Sequence, residues 1–194
     1  MRGAVLYGPR DVRLEERDDP TIIEPTDAIA RLSATCVCGS DLWPYRGIEP
    51  VHGPTPMGHE YVGIVEEVGS AVITTKPGQF VVGSFWASDN TCEICRAGYQ
   101  SSCIRRELMG TMGTQAERAR IPLADGTLVS TPEPPPEDLI PGFLAASTCL
   151  APVGSGPWPP RPAPARPSPW SVTAPWACSP CSPHGTSARN GSSP

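Results

Sequence analysis

The chain has 194 residues, 39% of them hydrophobic, and a formal charge of −5 that is laid down unevenly: the first 150 residues hold all 20 acids and 12 of the 15 basic residues, and the rest adds three Arg and no acid. Length and hydrophobic share suit a domain of ordinary size with its own core, while scattered basic residues on an acidic background exclude a nucleic-acid footprint. No apolar run reaches membrane-spanning length, and the start MRGAVLYGPR lacks the apolar segment of a secretory signal, so the chain is expected in the cytoplasm, where its eight Cys would be ligands or buried thiols rather than disulfides.

Taken in chain order, short apolar runs punctuated by Gly, Pro and Asp predict strands from Ala4 to Tyr7, Val12 to Glu15, Ala28 to Ala34, Tyr61 to Val68, Phe80 to Ser84 and Arg118 to Pro122. GPRD and ADGT between such runs are turn chemistry, and the DG of the second is the stronger hairpin signal. Many short strands at near-regular spacing predict a mainly β fold, a closed or partly open barrel, over residues 1–131. Residues 132–147 read as a linker, PEPPPEDLIP, that runs into the start of a helix in EDLIPGFLAAS.

DNTCEICRAGYQSSC carries the strongest chemical signal. Two Cys separated by two residues, Cys92 and Cys95, let one tight turn present both sulfurs to a tetrahedral ion, and Cys103 eight residues later closes the lobe. Asp89 precedes Cys92 by the interval that separates Cys92 from Cys95, and its carboxylate is an acceptable fourth zinc ligand. A redox C-x2-C or plain buried thiols is the competing explanation. Cys38 in TCVCGSD and His59-Glu60 in GHEYVGIVEEVGSAV would each be ordinary loop or core residues if they stood alone.

The pattern around them, G-H-E-x2-G-x5-G with Val72 three residues on, resembles the signature of the zinc-containing alcohol dehydrogenases of the medium-chain dehydrogenase/reductase family, as do CGSDLWPYRG and TQAERARIPLADGTLV. The resemblance covers residues 1 to about 147 and implies a GroES-like β-barrel catalytic domain with a structural zinc lobe at 89–103, followed in the family by a Rossmann domain that binds NAD or NADP. It implies that Cys38 and His59 are catalytic zinc ligands with Glu60 beside them, that Ser40 passes the alcohol proton outward, and that Asp41 braces the zinc-bound histidine. Asp89, Cys92, Cys95 and Cys103 correspond to the structural zinc ligands, with Asp at a position where many members have Cys. Trp43 stands where some members have a further relay histidine. The implied substrate is a small alcohol or carbonyl, and the oligomeric state is left open.

The resemblance implies a third catalytic ligand, a Cys or an acid, just after the linker helix, where the chain reads ASTCLAPVG: Thr148 there is a poor zinc ligand, and Cys149, one residue away, is the candidate substitute. No G-x-G-x-x-G follows a strand after it, which leaves the dinucleotide without its phosphate turn. Residues 148–194 change composition, with Pro, Ser, Ala, Arg and Trp and no acid or Lys. Reading across the codon junctions of WSVTAPWACSP, one base out of frame, permits V-V-G-D-G-A-V-G-L-L, a strand entering the dinucleotide fingerprint. The same shift at residue 148 permits an acid at the third-ligand position. The tail is therefore expected to be frameshifted translation, and disordered; a natural Pro-rich linker is the alternative. On that expectation CSPCSPH, Cys178 to His184, is not a metal motif. The chain is expected to be a truncated, inactive member of the family, or, as the rival, a non-catalytic zinc-binding module with a disordered tail.

Overall fold

The computed structural model describes residues 1–109 and 112–149. A mainly β architecture is observed. β1 (Arg2–Gly8) and β2 (Asp11–Glu16) form an antiparallel hairpin, with Gly8 opposite Asp11 across the GPRD turn and Arg10 in the left-handed region. On its other edge β1 pairs with β4 (Thr55–Pro56), a two-residue strand that no periodicity could announce.

A five-stranded antiparallel sheet makes the body of the domain, in the order β10 (Leu128–Ser130), β6 (Phe80–Gly83), β5 (Tyr61–Val68), β3 (Ala28–Thr35), β9 (Arg118–Ile121). All six apolar runs of the sequence become strands within a residue or two of their expected ends, and β10 is a strand that the sequence reading did not name. ADGT does not make a hairpin. Ala124–Thr127 is a helical turn, α3, joining β9 to β10, and these two strands are the opposite edges of the sheet. Asp125 serves a different loop, accepting the backbone N–H groups of Ile73 and Thr74 at 3.0–3.1 and 2.8 Å.

This connection decides the shape. In a flat sheet the outer strands of five would lie about 19 Å apart, whereas a helical turn advances only about 1.5 Å per residue. The sheet must therefore curl until its edges approach, as in a partly open barrel, β9 and β10 sharing no ladder among the described residues.

Alternation along the strands fills that barrel. Ala28, Ala30, Tyr61, Val65, Val81, Ala119, Ile121 and Leu128 point inward into one buried cluster. The intervening Val62, Phe80 and Val82 point outward and are covered by Ile140, Phe143 and Leu144 of α4 (Ile140–Cys149). Phe80 and Phe143 meet edge to face, with ring centres 5.8 Å apart. Ser147 fastens the helix: its hydroxyl, fully buried, donates to the carbonyl of Gly83 at 2.6 Å and accepts the N–H of Tyr61 at 3.2 Å. The end of α4 is thereby held against the strand that begins just after His59-Glu60. The side chains of Thr148 and Cys149 lie outside the described residues, as do the shifted-frame reading of 148–194, the disorder expected there and the CSPCSPH segment.

Candidate metal centres

Two groups of metal-ligating side chains converge among the described residues, and they are the two that the sequence singled out. In each the candidate ligand atoms all lie within 4.8 Å of one another: Cys38, His59 and Glu60 in the first, Asp89, Cys92, Cys95 and Cys103 in the second.

The first group is built from three chain segments. Leaving β3, the chain makes a 3-10 turn at Gly39–Asp41 capped by Cys38, and the Asp41 carboxylate returns to accept the Cys38 backbone N–H at 2.9 Å. This fold-back puts Cys38, Ser40 and Asp41 on one lip. His59 and Glu60 enter just ahead of β5, directly after Gly58. Gly58 has a φ of 98° and sits so close to the segment leading into β9 that a Cβ would lie 2.4 Å from the Gln115 nitrogen, so no other residue fits before the histidine. Gln115 in turn donates its side-chain amide to Asp41 Oδ2 and to the Cys36 carbonyl, both at 3.2 Å.

His59 is held from both ring nitrogens. Asp41 Oδ1 lies 3.5 Å from Nδ1, which assigns the ring proton to Nδ1, and Ser40 Oγ lies 3.2 Å from Nε2. Phe85 packs edge-on against the imidazole, ring centres 6.3 Å apart. Glu60 is buried, 5% exposed, and accepts the Cys36 thiol on Oε2. Burial first, and then this contact with Glu60, pushes the Cys36 thiol up to about 12. A buried carboxylate, a thiol and an imidazole meeting at one point is a donor set of mixed softness that suits zinc.

A cleft of about 590 Å³ opens over this group. Its walls are largely apolar, with Leu6, Met57, Phe85 and Leu108, and the polar atoms are those of Cys38, Ser40, Asp41 and His59 together with Glu49 and His52. Trp43, in α1 (Leu42–Tyr45), is 59% exposed and does not line the cleft.

The second group forms a lobe between β7 (Trp86–Ala87) and β8 (Glu107–Leu108). Cys92 caps the short helix α2 (Glu93–Arg96) and its sulfur accepts the Cys95 N–H, so C-x2-C spans one helical turn and brings the two sulfurs to 3.4 Å. Asp89 Oδ1 lies 3.5 Å from the Cys95 sulfur and 3.4 Å from that of Cys103. Around a tetrahedral zinc, bonds of about 2.3 Å to sulfur and 2.0 Å to oxygen require edges of about 3.8 Å between sulfurs and 3.5 Å between sulfur and oxygen. The three edges Cys92–Cys95, Asp89–Cys95 and Asp89–Cys103 are within a few tenths of an ångström of those figures, and all four ligand atoms lie within 4.8 Å of one another.

Its electrostatics favour the anion at Cys92 and Asp89 but not at Cys95. Backbone N–H donation from Ile104 and Cys95 draws the Cys92 thiol down to about 7, while burial holds the Cys95 thiol up. Burial alone would raise the Asp89 carboxyl, but the N–H groups of Thr91 and Cys92 outweigh it and hold the group well below the usual carboxylate range. Asp89 Oδ2 receives the Arg105 guanidinium at 2.9 Å.

All nine residues expected at the two sites are therefore found in two places and in the expected groups. Sequence reasoning passed over Cys36, Gln115 and His52. Cys36 was within reach, because residues two apart at the end of a strand share a side.

Comparison with known proteins agrees with this geometry. Residues 24–133 match the alcohol dehydrogenase GroES-like domain. The chain is 41% identical over 161 residues to the zinc-type alcohol dehydrogenase B of Aspergillus flavus, covering 77% of this chain and 38% of that protein. It is 36% identical over 167 residues to the medium chain reductase/dehydrogenase ucsI of Acremonium sp, covering 80% of this chain and 57% of that one. Among solved structures, the alcohol dehydrogenase TADH from Thermus sp. ATN1 superposes with a TM-score of 0.64 at 35% identity, over 69% of this chain and 40% of its own. The chain thus spans 38–57% of the length of these curated relatives. No helix among the described residues is long and apolar enough to cross a membrane.

Proposed function

Because the chain belongs to the alcohol dehydrogenase GroES-like domain family, we propose that it is the substrate-side half of a zinc-dependent alcohol dehydrogenase, interconverting a small alcohol and its carbonyl with NAD or NADP. The observation that carries this reading is the convergence of Cys38, His59 and Glu60 beneath an apolar-walled cleft.

In this reading Cys38 and His59, with Glu60 beside them, would hold a catalytic zinc once a third ligand completes the set, and that zinc would supply Lewis-acid polarisation of the substrate oxygen. Asp41 keeps the His59 proton on Nδ1, so that the Nε2 lone pair is available to the ion, and Gln115 keeps Asp41 in place. Cys36 steadies Glu60. The Ser40 hydroxyl, at the exposed lip of the cleft, takes the alcohol proton outward, toward water and His52, since the Trp43 indole cannot accept one. Leu6, Met57, Phe85 and Leu108 exclude water from the carbon bearing the hydrogen to be transferred. Asp89, Cys92, Cys95 and Cys103 hold a second, structural zinc. Free thiols in both groups fit a reducing compartment, the cytoplasm.

We read residues 1–131 as the catalytic domain, 132–147 as linker and start of helix, and 148–194 as translation of a shifted frame. On this reading the third ligand and the nicotinamide fingerprint belong to the other frame. The 194-residue protein then holds about one zinc, at the lobe, and does not bind a nicotinamide. Sequencing the gene from codon 140, restoring the frame before codon 148 and assaying the product tests it: the restored protein should oxidise an alcohol with NAD or NADP, and His59→Ala should abolish that activity. A gene with no frame encoding the fingerprint, or a restored protein indifferent to His59, overturns the reading and leaves a zinc-stabilised module without catalysis.

A further inference from the structure

Asp89 brings to the lobe something a thiolate would not, a second donor atom. Its Oδ1 faces the sulfurs of Cys95 and Cys103, and its Oδ2 is taken by Arg105 Nη1 at 2.9 Å. The carboxylate is nearly enclosed, its side chain 6% exposed, so an Oδ2 without a partner would be a buried charge facing nothing. Arg105 also stands two residues after Cys103, and its backbone N–H donates to the Cys103 sulfur at 3.3 Å. One short segment therefore sets a sulfur and the counter-charge for the oxygen ligand opposite it.

Resting on the reading of this lobe as a zinc site, we propose that Arg105 is a positioning residue that makes Asp89 a one-oxygen ligand: the guanidinium occupies Oδ2 and so commits Oδ1 to the ion. A carboxylate with both oxygens open can turn to chelate through both, which crowds a tetrahedral centre; a charged hydrogen bond on one of them removes that option. Arg105 and Asp89 form a unit, and the arginine has this role only because the ligand beside it is an acid.

That last point supplies the test. Zinc affinity at the lobe is measured on the full 194-residue chain by competition with a chromogenic chelator. The coordination sphere is read from the absorption bands of the cobalt(II)-loaded protein, and a Cys92→Ser variant identifies which zinc is the lobe's. Arg105→Gln should weaken lobe zinc about 10- to 100-fold and alter the cobalt bands, with Arg105→Lys recovering most of the loss. In an Asp89→Cys background, where no second oxygen exists, Arg105→Gln should change zinc affinity less than twofold. An equal loss in both backgrounds, or no loss in the parent, overturns the proposal. If the parent carries no zinc that Cys92→Ser removes, the zinc reading of the lobe fails first, and the proposal with it.

Discussion

Ser147→Ala is the substitution that tests whether the last helix belongs to the barrel. The hydroxyl is fully buried and closes two hydrogen bonds at once, to the Gly83 carbonyl at 2.6 Å and from the Tyr61 N–H at 3.2 Å. Alanine fills nearly the same volume, so packing barely changes. What remains is a buried backbone donor and a buried acceptor with no partner, each costing about 1–3 kcal/mol. Allowing for the removal of the hydroxyl's own desolvation, the loss should be roughly 2–4 kcal/mol, or roughly 5–15 °C in Tm for a domain of this size. Urea unfolding of the zinc-loaded chain at neutral pH measures it, with Glu137→Ala on the exposed approach to α4 as a control expected to stay within about 0.5 kcal/mol. A Ser147→Ala loss below about 0.5 kcal/mol would refute the docking of α4, and with it the idea that this helix carries the chain toward the Cys38 group.

Gly63→Ala should be at least as damaging, roughly 3 kcal/mol or more, because a Cβ there would lie 2.3 Å from the Arg31 carbonyl oxygen across the β3–β5 ladder; an unchanged urea midpoint would contradict it. Tyr61→Phe should do the opposite. The Tyr61 hydroxyl is buried in the barrel with no hydrogen-bond partner among the described residues, so its removal should leave stability unchanged or raise it by about 1 kcal/mol, and a clear loss would mean that the phenol has a partner. Arg120→Met strips the buried Asp27 carboxylate of its ion-pair partner at 2.8 Å and should cost about 3–5 kcal/mol, much of it regained when Asp27→Asn is added; a double-variant loss equal to the sum of the two single losses would show the pair to be uncoupled.

The strands that sequence pattern revealed are those long enough to show a period. β3 and β5, eight residues each, alternate between the barrel interior and its exterior, and their apolar runs are unmistakable. β4, β7 and β8 have two residues each, less than one period of anything, and exist only because a neighbour offers a ladder. The ADGT turn misled for a related reason: local chemistry says that the chain bends, but only the pairing of β9 with β3 and β10 with β6 says where it goes. At the metal groups the split is the same. Asp89, Cys92, Cys95 and Cys103 lie within 15 residues and announce themselves by interval, whereas Gln115 reaches Asp41 across 74 residues and has no local signature.

Pairing β3 with β9, a strand from far along the chain, has a consequence for how the protein is made. Ala28 finds its edge partner in Ile121, which leaves the ribosome about 90 residues later. At about 5–20 residues per second that is roughly 5–20 s during which the outer rim of β3 offers unpaired amides and carbonyls to any passing strand. A nascent chain in that interval is a target for self-association, and its yield should depend on chaperone supply and on synthesis speed more than on the strength of the finished core.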